Sequence, residues 1–171
     1  LTLRIEATDE LHFAVDFQGE QVMWYTPISL TVNNRVLGQN PEVRKTNSRE
    51  VREVIRPVWG IRSEIQDHYN ELSLQMEGDY AVIFRAYNDG VAYRFRTDFP
   101  GEVIVNDEHV NFRFLKDHRL LAHVVGDFQT SYEKLYTDYK ISEVVEDEFI
   151  SLPLLMDQGD VKIAFAEADL Y

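Results

Sequence analysis

The chain has 171 residues, of which 44% are hydrophobic and 12% aromatic, and its formal net charge is −13. This composition excludes intrinsic disorder, and the length is sufficient for a sizeable core. The acidic balance disfavours nucleic acid and anionic lipid surfaces as partners. Because the sequence contains no cysteine, disulfides, thiolate metal sites and thiol nucleophiles are excluded. Its apolar runs, such as residues 152–156, are too short to span a membrane.

Short segments with a period of two dominate the sequence from its first residues. Alternating apolar and polar residues predict strands with one buried and one wet face. We predict strands at residues 1–5, 11–17, 21–25, 28–32, 36–38, 51–58, 72–76, 80–87, 91–95, 103–105, 110–114, 120–125, 152–156 and 161–166. Residues 39–50 are predicted to form a loop. Residues 128–148 are irregular, and the spacing of Tyr132 and Tyr136 also allows a local helix there.

Turn signals separate these strands, including Asn88-Asp89-Gly90 and the residues 157–160 between the last two strands. Some dozen short strands with almost no helical period indicate an all-β fold. Their number exceeds that of an immunoglobulin-type domain and favours a large antiparallel β-sandwich of two packed sheets. We find no internal linker and predict a single domain over residues 1–171.

The densest polar cluster is Asp67-His68-Tyr69-Asn70-Glu71, which we place at the entrance to a strand. Alternation puts Asp67, Tyr69 and Glu71 on one face, and His68 and Asn70 on the other. A carboxylate beside an amide at a strand end can ligate Ca²⁺ or bind sugar hydroxyls. A hydrogen-bonded strand entry with no further function is the alternative interpretation.

Trp59 and two carboxylates near the end of the chain are further candidates. Trp59, followed by Gly60, could be an aromatic platform for a sugar ring or an ordinary packing residue. Glu167 and Asp169 would point to the same side of the last strand, where they could hold a cation or form solvated surface. The histidines show no zinc spacing, and the serines lack the Gly-x-Ser-x-Gly context of a hydrolase.

Four segments in series carry a family resemblance that covers nearly the whole chain: residues 57–60 (PVWG), 67–72 (DHYNEL), 87–95 (YNDGVAYRF) and 167–170 (EADL). Together they resemble the N-terminal domain of glycoside hydrolase family 97. The resemblance implies an aldose-epimerase-like super-sandwich that precedes a catalytic (β/α)₈ barrel. It also implies an exo-acting bacterial α-glucosidase or α-galactosidase, retaining or inverting, of Bacteroides-type polysaccharide utilisation.

The resemblance also implies where the functional groups lie. The general acid and the base or nucleophile belong to the barrel, so we expect no catalytic residue in this chain and no hydrolysis by it alone. The family is calcium-dependent, and by motif match Glu167 joins barrel glutamates around the ion, although Ala166 stands where a small hydroxyl residue is expected. A lone Glu167 would bind Ca²⁺ weakly, because affinity requires several oxygen ligands.

Further expectations concern the partners and location of the chain. We expect six residues at the barrel interface or the edge of the active site: Trp59, His68, Tyr69, Asn70, Glu71 and Asp169. Trp59 and Tyr69 are expected to form an exposed patch that the barrel covers. The barrel and an oligosaccharide substrate are the expected partners. A start without Met and an end directly after a strand predict that the start, with any signal peptide, is trimmed and that the chain is cut at its end. The resemblance implies that the cut lies before the barrel and that the enzyme is periplasmic or outer-membrane-associated.

Two other functions remain open at this point. The first is a free carbohydrate-binding module in which Trp59 and nearby tyrosines stack on sugar. The second is an aldose-epimerase-like enzyme with His68 as acid and Glu167 as base, which requires both side chains in one concave pocket.

Overall fold

Thirteen strands, all in antiparallel pairings, form the sheets in a computed structural model that describes residues 1–167. The chain divides into two compact units, with unit 1 ending at Arg113 and unit 2 beginning at Phe114. The strands of unit 1 are β1 Thr2–Ala7, β2 Leu11–Phe17, β3 Glu20–Val32, β4 Arg35–Leu37, β5 Val43–Ile55, β6 Ile65–Met76, β7 Tyr80–Ala86, β8 Val91–Thr97 and β9 Val105–Val110. The strands of unit 2 are β10 Arg119–Val124, β11 Thr137–Lys140, β12 Ile150–Asp157 and β13 Lys162–Phe165. The predicted all-β antiparallel class is confirmed, whereas the single domain over residues 1–171 stays a prediction.

Unit 1 is a β-sandwich of two sheets, as predicted. One sheet has the order β1-β2-β3-β4, with β9 also paired to β3, and the other has the order β5-β6-β7-β8. Phe13 on β2 contacts Phe84 on β7 and Tyr93 on β8, with ring centroids 6.4 and 5.7 Å apart. The alternating apolar positions of β2, β7 and β8 therefore form the core between the sheets.

The end of β4 is fixed by a glycine. Gly38 has a φ of +90°, and a Cβ added there would lie 2.6 Å from the carbonyl oxygen of Ile28. Its N–H donates a hydrogen bond of 3.2 Å to the Tyr80 hydroxyl at the start of β7. No other residue type fits this position without strain, and the hydrogen bond links the two sheets of unit 1.

Unit 2 contains a four-stranded sheet with the order β11-β10-β12-β13. Its buried apolar residues include Leu120, Ala122, Met156 and Phe165. The local helix that the tyrosine spacing allows near Tyr132 is not formed, since residues 125–136 are irregular, and a short 3₁₀ helix follows later at Ile141–Glu143. Among residues 1–167, no helix has the length and apolar character needed to cross a membrane.

Three predicted boundaries in unit 1 are wrong. Residues 39–50, predicted as a loop, contain most of β5, and the predicted strands at 103–105 and 110–114 are replaced by β9. β5 and β9 have mostly exposed side chains and are held by their backbone pairings with β6 and β3. A hydrophobic period of two arises only where one face of a strand is buried. Strands whose side chains are mostly exposed lack this period, and the sequence pattern therefore does not predict them.

Candidate functional site

The polar cluster identified from the sequence lies on a projecting hairpin formed by β5 and β6. β7 pairs with β6 from Asn70 to Met76, whereas β5 continues to pair with β6 as far as Ile55 opposite Ile65. Residues 52–68 therefore form a two-stranded ribbon with a nine-residue loop at its end, which we term the β-arm. The cluster at residues 67–71 lies within β6 and not at a strand entrance as predicted.

Polar side chains of β5, β6 and the loop pair with one another along the β-arm. His68 lies opposite Arg52 in the ladder, and both side chains contact Glu50 Oε1, at 2.9 Å from His68 Nε2 and 2.6 Å from Arg52 Nη2. The hydrogen bond with His68 has the largest effect and those with Arg52 the next largest, and together they lower the pKa of Glu50 below its ordinary value. Arg56 Nη2 lies 2.9 Å from Glu64 Oε1 and joins the first and last residues of the loop. All of these side chains are exposed, so the pairs contribute little to the free energy of folding, although they connect neighbouring side chains of the β-arm.

The loop at the end of the β-arm is apolar and exposed. Trp59 is 88% exposed, and Val58 and Ile61 are fully exposed. We term these three residues the tip. Scattered exposed apolar residues are ordinary, but three within four positions at the end of a projecting ribbon are typical of a contact surface.

Glu71 lies at the root of the β-arm, held by two arginines from neighbouring strands. Arg49 Nε on β5 lies 2.7 Å from Glu71 Oε1, and Arg85 Nε on β7 lies 2.9 Å from Oε2. The Glu71 side chain is only 11% exposed. The hydrogen bonds from the two arginines lower the pKa of Glu71, and the one from Arg49 has the larger effect. We term Glu71, Arg49 and Arg85 the root clamp. Both carboxylate oxygens of Glu71 are paired with arginines of unit 1.

Tyr69 is part of the same cluster and has a buried side chain on the same face of the sheet as Glu71. Its side chain is 5% exposed, its ring contacts that of Tyr87 at 5.1 Å, and the Arg85 guanidinium stacks over it at 4.4 Å. Burial raises the pKa of Tyr69. The predicted alternation is confirmed, since Tyr69 and Glu71 share Arg85 while His68 and Asn70 are exposed. Of the expected patch residues, Trp59 alone is on the surface.

Glu167 is exposed two residues after β13 ends, in unit 2. Its free carboxylate is a hard oxygen donor of the kind that Ca²⁺ prefers, but one donor does not make a site. Within residues 1–167, no group of three or more His, Asp or Glu side chains is placed to hold a metal ion. Asp169 lies outside the described residues. His68 belongs to unit 1 and is already engaged by Glu50.

Arg49 and Arg85 are the site residues that sequence reasoning missed. Arg85 interrupts the apolar run of β7, and a charge in such a run signals a partner on a neighbouring strand. Arg49 gave no such signal because it lies in the polar segment predicted as a loop.

Comparison with protein families gives one match over the whole chain. The family model described as Glycosyl-hydrolase 97 N-terminal matches residues 1–171. A retaining alpha-galactosidase of Bacteroides thetaiotaomicron is 34% identical over 181 aligned residues, which include 99% of this chain. The chain spans only 27% of the length of that relative.

Solved structures show the same fold. A beta-arabinopyranosidase aligns over 98% of this chain and 30% of its own length, with a TM-score of 0.84 and 20% identity. A glycoside hydrolase family 97 enzyme from Pseudoalteromonas sp. strain K8, in complex with acarbose, aligns over 92% of this chain and 25% of its own length, with a TM-score of 0.74 and 17% identity. In both, the matching region is a minor part of a much longer protein.

Proposed function

Because this chain belongs to the Glycosyl-hydrolase 97 N-terminal family, we propose that it is the non-catalytic N-terminal domain of an exo-acting α-glycosidase. The observation that carries the proposal is the match along the whole chain to a glycosidase more than three times as long. The catalytic acid and base or nucleophile then belong to the part of the polypeptide that this chain does not include. That part is the catalytic barrel against which this domain packs.

The proposed substrates are α-linked glycosides, and α-galactosides are the first to test. The curated relative at 34% identity is a retaining alpha-galactosidase, and this supports both the substrate and retention of configuration. The solved structures are under 25% identical and bear on the fold alone. The proposed location, in the bacterial periplasm or on the outer membrane, rests on the family resemblance.

We assign Glu167 the role of a calcium ligand that this domain donates to the barrel. Its exposed carboxylate is chemically suited to the ion, and the other oxygen ligands would come from the barrel. When bound, the calcium would supply positive charge near the glycosidic bond. Glu167 itself would contribute one negative charge and one ligand, held by its position after β13.

Calcium titration of the full-length protein by calorimetry tests this role. Glu167→Gln keeps the shape of the side chain and removes its charge, and we expect calcium affinity to fall by about tenfold or more. Hydrolysis of an aryl α-galactoside should fall with it. The matched control is Asp160→Asn, which removes a carboxylate from an exposed turn of the same unit and should leave both quantities unchanged. If Glu167→Gln binds calcium as tightly as the native protein, Glu167 is not a calcium ligand and the role of this domain is structural.

A further inference from the structure

We propose that the β-arm is the docking element of this domain, and that its tip is buried by the catalytic part of the same polypeptide. The inference rests on the proposed function, since the partner is the rest of the glycosidase. It adds the element and the side chains that form the contact. The tip consists of Val58, Trp59 and Ile61, of which Trp59 is 88% exposed.

The β-arm contributes little to the core of unit 1. Its stem residues Val54, Ile55 and Ile65 are also exposed, although they are apolar. By contrast, Phe84 of β7 and Tyr93 of β8 in the same sheet contact Phe13 of the facing sheet. Apolar side chains that stabilise no core, carried at the end of a ribbon, indicate an intermolecular or interdomain contact.

The β-arm is also held in one orientation before any partner binds. At its root, Glu71 joins Arg49 of β5 to Arg85 of β7, and Arg85 stacks on the buried ring of Tyr69. At the two ends of the loop, Arg56 pairs with Glu64. A contact element fixed in this way loses less conformational entropy on docking than a flexible loop would.

The size of the tip indicates which partner it has. Three side chains of this kind can bury roughly 500 Å². A stable complex between separate proteins buries about 800 Å² on each partner. An interface within one polypeptide needs less, because the covalent connection supplies a high effective concentration. The tip therefore fits a partner on its own chain better than a second copy.

The charge distribution argues against a membrane as the partner. Residues 52–68 contain three arginines and three acidic residues, so the β-arm is neutral, while the whole chain carries −13. A protein with this net charge is repelled by anionic lipid surfaces. The relative, by contrast, has almost three quarters of its length outside this region, which provides ample surface for the tip.

Hydroxyl-radical footprinting of the full-length protein tests the inference directly. Oxidation of Trp59, read by mass spectrometry, is compared with that of the same peptide in the urea-unfolded protein. We expect docking to protect Trp59 by about tenfold or more relative to the unfolded protein. Oxidation near the unfolded rate would overturn the proposal. So would protection that disappears on dilution, which indicates a second copy, or protection that appears only with added oligosaccharide, which indicates a sugar platform.

A pair of tryptophan variants gives a second readout. In Trp59→Ala, loss of the largest tip side chain should raise the oxidation of Ile61 several-fold. Trp24→Ala is the matched control, because Trp24 lies on β3 outside the β-arm and is also exposed, at 41%. It should leave Ile61 protected, and equal effects of the two variants would contradict the inference. Neither measurement uses calcium or activity, so the proposed role of Glu167 and the docking of the β-arm can fail independently.

Discussion

The two hairpins of the four-stranded sheet in unit 1 have opposite surroundings. The hairpin of β7 and β8 directs Phe84 and Tyr93 against Phe13 of the facing sheet. The hairpin of β5 and β6 extends beyond β7 and ends in an exposed tip. The first hairpin stabilises unit 1, and the second presents a surface. The same sheet thus combines a rigid base with a projecting element, joined at the root clamp of Glu71.

Truncating the core of the first hairpin should have the largest effect. Phe84→Ala should lower the free energy of opening of unit 1 by about 3–5 kcal/mol, because Phe84 is fully buried and its removal leaves a cavity. Native-state hydrogen exchange of the β7 amides in the full-length protein measures this quantity. Trp59→Ala is the control: Trp59 is 88% exposed in this domain and packs in no core of unit 1, so opening at the β7 amides should change by no more than about 0.5 kcal/mol whether or not the tip is docked. A loss in Trp59→Ala equal to that in Phe84→Ala would contradict the distinction between the hairpins.

Breaking the root clamp should have a smaller but clear effect. Glu71→Gln keeps the side-chain volume, removes its charge and leaves Arg49 and Arg85 without a carboxylate, so opening at the arm root should become easier by about 1–3 kcal/mol. Hydrogen exchange of the amides of residues 69–72 reports the change. The matched control is Glu50→Gln, which removes an exposed carboxylate from the same sheet and should have no measurable effect. If both variants behave alike, the clamp does not hold the arm.

Part of the root clamp could be predicted from the sequence. The three-residue turn at residues 77–79 places Met76 opposite Tyr80, and the antiparallel ladder then places Glu71 opposite Arg85. The partner on β5 could not be predicted in this way. Nine residues separate β5 from β6, and a loop of that length fixes no register. The polar residues 43–50 also gave no sign that they belong to β5, of which only the last part was predicted as a strand, at residues 51–58.

The burial of apolar segments decided which strands were predictable. β8 shows a clear period of two, and β7 is an apolar run whose first five residues are buried, so both were predicted as strands. β9 and β11 have mostly exposed side chains, and their backbone pairings leave no trace in the hydrophobic pattern. Trp59 was a candidate from its residue type, but its exposure depends on the length of the β-arm, which follows from the tertiary pairing of β6. Glu167 was identified by family resemblance and not by any spacing in the chain.

Lowering the pH should destabilise the root of the β-arm, because protonation of Glu71 removes the negative charge that pairs with Arg49 and Arg85. Two arginines depress the pKa of Glu71 in the folded protein, Arg49 first, so an unfolded chain binds a proton there more readily than the folded chain does. The stability that this carboxylate contributes is therefore present above the ordinary glutamate pKa of about 4.3 and is lost as the pH falls through the lower folded value. The sign of the dependence follows: acid weakens the arm root.

The comparison of native protein with Glu71→Gln from about pH 7 to about pH 3 isolates this carboxylate from the others. A protonated glutamate resembles glutamine, so the difference in opening free energy at residues 69–72 should be full near neutrality and shrink towards zero in acid. Because the two proteins are compared at each pH, the intrinsic exchange rate cancels. A difference that stays constant or grows in acid would show that the Glu71→Gln substitution acts through packing and not through the lost charge, and the arm root would then be held by the stacking of Arg85 on Tyr69.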